Sequence, residues 1–126
     1  MADDDDIVKM MLEKIEKRYG SVPLVNQILS ERPDLFIPSV KFSTAVIEGK
    51  SQFDHKTRYL FAVAAATALG SEHCIDVQLE HAVQAGATRD EVIEVMSIAS
   101  FMAMTRSQSV AFRKFGEKFG ERGETR

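Results

Sequence analysis

Helix stop signals recur along the whole chain, and between them no run sustains the apolar/polar alternation of a half-buried strand. That punctuation restricts the chain to an all-α fold. Ile7, Met11, Ile15 and Tyr19 form an i, i+4 stripe widened by Val8 and Leu12, and Gly20 follows as a helix-ending glycine. Asp3 to Asp6 lie at its start, where acidic groups suit the positive end of the helix dipole. Ser21 to Ser30, with Pro23 near a first-turn position, predicts a short second helix. Pro33 and Pro38 then break the chain, and Pro38 is expected to open a helix that ends at Gly49.

Asp54 is the expected N-cap of a helix from His55 to Leu69, whose middle is nearly all Ala, Val, Leu and Phe and is expected at the centre of the core. Gly70 ends it, Ser71 caps the next, and Gly86 closes that one, which gives a helix from Ser71 to Ala85. Thr88-Arg89-Asp90-Glu91 is a capping box. Beyond it Val92, Val95, Met96, Ala99, Met102 and Ala103 keep the helical period. A terminal amphipathic stretch then carries Val110, Phe112, Phe115 and Phe119 before Gly120 and a polar tail. Six to seven helices are expected, with His55–Leu69 and Ser71–Ala85 as a central antiparallel pair.

The 126 residues suit a single domain over 1–126. With 44% hydrophobic and 28% charged residues the composition is that of neither a disordered nor a membrane protein. The longest apolar run, Leu60 to Leu69, is far shorter than the roughly 20 residues that cross a bilayer. A cytoplasmic protein is expected, because the acidic start Asp3–Asp6 lacks the positive and then apolar pattern of a secretory signal.

The net charge of −3 comes from 16 basic and 19 acidic residues, and without Asp3–Asp6 the balance is 16 against 15. Arg106, Arg113, Lys114, Lys118, Arg122 and Arg126 outnumber Glu117, Glu121 and Glu124 near the C-terminus, a pattern of a solvated helix face. With a pI of 5.6 this argues against a nucleic-acid partner.

A single cysteine, Cys74, excludes an intramolecular disulfide and a multi-thiolate metal site. With Ser71 as N-cap, Glu72, His73 and Cys74 fill the first turn, where free amides and the helix dipole favour a thiolate and Glu72 opposes it. His73 points about 100° away from the sulfur, so the two need not pair. Gln78 is the next residue on the sulfur's own face; it orients by hydrogen bonding but takes no proton near neutral pH. His81 lies two turns on and reaches Cys74 only through Gln78, a water or a ligand. The alternative for Cys74 is a buried core cysteine with no chemistry. His55, His73 and His81 have no metal-ligand spacing, so neither a metal nor a cofactor is expected.

Ser71-Glu72-His73-Cys74-Ile75 through Gln78, Gly86, Ala87, Thr88, Glu91 and Glu94, preceded by Asp54-His55-Lys56-Thr57-Arg58 and an Ala-rich helix, resembles the carboxymuconolactone decarboxylase family, which includes the alkylhydroperoxidase D-like proteins. The resemblance runs from about Leu35 to Phe115. It implies an alkylhydroperoxidase D-like all-α fold assembled as a trimer or as a hexamer of two trimers. In the peroxidase branch the motif is Cys-x-x-Cys at a helix start, a His four residues after the second Cys, and a proton-relaying Glu on the preceding helix. The second cysteine falls on Cys74 and the intervening histidine on His73. The first cysteine falls on Ser71, the later histidine on Gln78 and the glutamate on Tyr59.

Ser71 forms no disulfide, and Gln78 and Tyr59 remove the groups of the standard proton relay. A one-cysteine cycle remains, of antioxidant peroxiredoxin type. In it the Cys74 thiolate attacks a peroxide or disulfide, and an external thiol or a redox partner's cysteine resolves the product. The first alternative is a small-molecule-binding oligomer that kept the fold and lost the relay. The second is 4-carboxymuconolactone decarboxylase, with Arg58 and Arg106 as carboxylate-binding candidates. Tyr59, Ser71, His73, Gln78 and His81 are the expected polar neighbours of Cys74, with His81 and Arg58 on the substrate side. So many apolar helix faces on a small chain also favour a homo-oligomer, with Phe101, Met102, Met104, Phe112, Phe115 and Phe119 as interface or core.

Overall fold

The computed structural model describes residues 2–120 and holds six helices and no strand among them. The chain is organised as two compact units, Met1–Gln52 and Phe53–Arg126. The polar tail with Glu121, Arg122, Glu124 and Arg126 lies outside the described residues.

The first unit contains α1 (Asp4–Tyr19), α2 (Leu24–Leu29) and α3 (Pro33–Glu48). Asp3 caps α1 by accepting from the Asp6 amide at 2.9 Å, and Gly20 ends it in the left-handed conformation at φ 81°. Both α1 and α2 pack on α3, and Val8 and Phe36 are the buried residues of the unit.

Helix α3 starts five residues earlier than expected, at Pro33 rather than Pro38. Pro33 sits in the first turn, where its missing N–H costs nothing. Pro38 lies inside the helix instead, and its ring denies the Asp34 carbonyl an intrahelical donor. The Asp34 side chain is held by Arg32, whose Nε and terminal nitrogen donate to its two oxygens at 2.9 and 2.7 Å.

The second unit contains α4 (His55–Leu69), α5 (Glu72–Gln84) and α6 (Arg89–Phe119). Asp54 caps α4 by accepting from the Thr57 amide at 2.8 Å, and Gly70 turns the chain at φ 69°. A glycine serves there because the left-handed region is strained for any residue with a Cβ. Helix α4 packs against both α5 and α6 around Leu60, Val63 and Ala82, with Leu79, Ala87, Val92, Val95 and Met96 closing over them.

Helix α4 is central to this unit, yet only one of its faces is covered. Phe61 on the other face is 52% exposed and Leu69 at the end 82%. Helix α6 runs unbroken for 31 residues, about 46 Å, so the terminal amphipathic stretch is part of it and not a further helix. No Gly or Pro stands between Arg89 and Phe115 to end it.

Candidate functional site

Helices α4 and α5 bring most of the site residues into one unit. Arg58 and Tyr59 lie in the first turn and a half of α4, and Ser71, His73, Cys74, Gln78 and His81 follow the Gly70 turn along α5. Tyr59 and His81, nearly equidistant from that turn, meet with ring centroids 5.1 Å apart and planes tilted by 49°. Tyr59 also packs on the Leu60–Val63–Ala82 core, so this aromatic pair is held by the same burial that joins the helices.

The side-chain Nε of Arg58, Oε1 of Gln78 and Nδ1 of His81 are all buried polar atoms. Gln78 Oε1 has no hydrogen-bond partner among the described residues. A buried carbonyl oxygen without a donor is uncommon in a folded protein, because it has given up water for nothing.

Cys74 lies in the first turn of α5 and is exposed, as is His73 beside it. The buried-core alternative for the cysteine is thereby set aside. Ser71 does stand at the N-cap, but its side chain makes no capping hydrogen bond, contrary to expectation. Its ψ of 98° lies well short of the 171° of Asp54 and the 161° of Thr88, which do cap. Arg106 is exposed on α6.

Two neighbours of the site are missing from the sequence expectation. His55 stacks on Tyr59 with centroids 6.3 Å apart and planes at 25°; their i, i+4 spacing was the available signal. Lys56 reaches from α4 to Glu91 at 3.0 Å. The second oxygen of Glu91 accepts from the Thr88 amide at 2.9 Å, while the Glu91 amide donates to Thr88 Oγ1 at 3.1 Å. The Thr88 amide and then Lys56 hold the Glu91 carboxyl below its ordinary range. The capping box thus also ties the start of α6 to the start of α4.

A separate groove of about 700 Å³ lies in the first unit, lined by α1 and α3 residues such as Met10, Ile15, Val40 and Ile47 with Lys14 and Lys41. It includes none of the residues above. Among the described residues no three His, Cys, Asp or Glu side chains are grouped to hold a metal ion, and no helix is long and apolar enough to cross a membrane.

The model of the carboxymuconolactone decarboxylase family matches residues 33–115. The chain belongs to that family. No curated protein and no solved structure gives a significant match. The matched stretch begins at the proline that opens α3 and ends within the last turns of α6, so it takes in every site residue named above. In this carboxymuconolactone decarboxylase family member, Cys74 is the one thiol, and it lies on the helix that supplies His81 to the tyrosine–histidine contact.

Proposed function

We propose that this family member is a single-cysteine thiol-redox enzyme acting on a peroxide or a disulfide through Cys74, assembled as a trimer or hexamer in the cytoplasm. The observation that supports it is the exposure of Cys74 in the first turn of α5, which leaves its sulfur open to an oxidant. The Cys74 thiolate attacks the terminal peroxide oxygen, the O–O bond breaks, and the alkoxide leaves as an alcohol after taking a proton. The sulfur is left as a sulfenic acid. An external thiol displaces water to give a mixed disulfide, and a second thiol releases the reduced enzyme and carries off the disulfide. His73, Ser71, Gln78 and Tyr59 are the neighbours assigned to orient the oxidant, with His81 and Arg58 on its substrate side.

Gln78 favours a second reading, of a site that binds a small molecule without transforming it. Its buried, partnerless Oε1 is an acceptor for a donor group on a ligand. Decarboxylation of a lactone acid has no observation of its own in its favour.

The test is to treat the protein with one equivalent of an alkyl hydroperoxide, trap sulfenic acid with dimedone and measure mass. Labelling at Cys74 with one alcohol formed per chain, absent in Cys74→Ser, is expected. Full recovery of unreacted thiol would overturn the redox reading, and ligand binding that survives in Cys74→Ser would favour the second.

A further inference from the structure

The groove of the first unit combines an apolar lining with an excess of positive charge. Helices α1 and α3 are tied by the Arg18–Glu48 ion pair, and Met10, Met11, Ile15, Val40 and Ile47 line a trough of about 700 Å³ beside it. Small-molecule sites have volumes of roughly 300 to 1,000 Å³. From Met10 to Tyr19 the lining follows α1 for about 14 Å, so the trough is elongated. Two of the lining residues are methionines, whose unbranched side chains adapt their shape to a flexible partner.

The cations of the lining are Lys14, Lys17, Arg18 and Lys41, and its one carboxylate, Glu48, is taken by Arg18. Lys14, Lys17 and Lys41 have no carboxylate partner among the described residues. The helices themselves offer little compensation. Neither Lys14 nor Lys41 has an acidic residue three or four places away on either side, and Lys17 has only Glu13. Lys14 has Lys17 and Arg18 at those spacings instead, and like charges so placed repel one another on a helix. An anion in the groove relieves that repulsion.

We propose that this groove binds a long-chain carboxylate, with the alkyl chain along the apolar lining between α1 and α3 and the carboxylate held by Lys14 and Lys41. The two lysines stand on opposite walls, each within two turns of the ion pair that ties the helices. A small inorganic anion leaves the apolar lining bare, and a neutral lipid leaves the ammonium groups unmatched. A long-chain carboxylate answers both, by apolar burial and by opposite charge. Helix α1 precedes the stretch 33–115 that the family model matches, so one wall of the groove lies outside it. None of the residues assigned to thiol chemistry lines the groove, and the binding is independent of Cys74.

Calorimetric titration of the full chain with decanoate at neutral pH, below its micelle concentration, is the test. Decanol supplies the same chain without the charge, and acetate the charge without the chain. One decanoate per chain is expected, bound at least tenfold more tightly than either control. Lys14→Ala combined with Lys41→Ala is expected to weaken decanoate at least tenfold and to leave decanol unchanged, with helix content checked by circular dichroism. Both lysines are exposed, so their removal takes nothing from the core. The wild-type protein carries a second readout that no unfolded variant can obscure: added salt is expected to weaken decanoate and not decanol. Absence of decanoate binding, equal binding of decanol or acetate, affinity undiminished in the double variant, or affinity indifferent to salt overturns the site.

Discussion

Asp54 and Glu91 hold the starts of α4 and α6, and both carboxyls sit below their ordinary values of 3.8 and 4.5, chiefly because the Thr57 and Thr88 amides donate to them. The unfolded chain therefore takes up these protons at a higher pH than the folded one. Their stabilisation is present above the ordinary carboxylate range and is lost as pH falls through it. The urea midpoint is expected to drop between about pH 6 and pH 3, and Asp54→Asn, which keeps a capping group, to flatten that drop. Replacing the other half of the box, Thr88→Ala, is expected to cost about 1 kcal/mol in urea unfolding. Both caps were legible in the sequence because each needs only a short polar side chain at a fixed offset. The idle side chain of Ser71 was not, since capping also depends on a backbone angle that residue type leaves open. The Tyr59–His81 contact was equally out of reach: it joins residues 22 apart through packing between helices, which no local spacing encodes.

At the scale of the helices, α4 was read to the residue, because Asp54 and Gly70 are strong signals bracketing a continuous apolar run. The start of α3 was misread because two prolines competed for one role, and only the three-dimensional setting shows Pro38 tolerated inside the helix. Pro38 is exposed, so Pro38→Ala restores a backbone hydrogen bond without losing packing and is expected to raise stability by about 2 kcal/mol, measured by urea unfolding. Gly49 works differently: a Cβ there would run into the Ala45 carbonyl oxygen, so Gly49→Ala is expected to destabilise the end of α3. Along α4, Leu60→Ala opens the core and is expected to cost about 3 kcal/mol, while Leu69→Ala at the exposed end changes stability by less than about 0.5 kcal/mol. Apolar composition alone does not separate these two leucines; their positions relative to α5 and α6 do.

The whole molecule is two compact units joined where α3 ends and α4 begins, and Lys50 stands exposed in that joining segment. Limited trypsin digestion is expected to cut first after Lys50, with the fragments identified by mass. The six apolar residues of α6 that were candidates for interface or core, Phe101 and Met102 through Phe119, are all exposed, which excludes the core reading. The all-α class and the family were legible because they rest on helix punctuation and a short motif. What the site does was not, because the chemistry proposed for it depends on how accessible one sulfur is in the folded protein. The most direct measurement is therefore the rate of iodoacetamide alkylation of Cys74 in the native protein beside the urea-unfolded chain, read by mass spectrometry. An exposed cysteine is expected to react in the native protein at a rate close to that in the unfolded chain; protection until the protein unfolds would contradict the thiol-redox function.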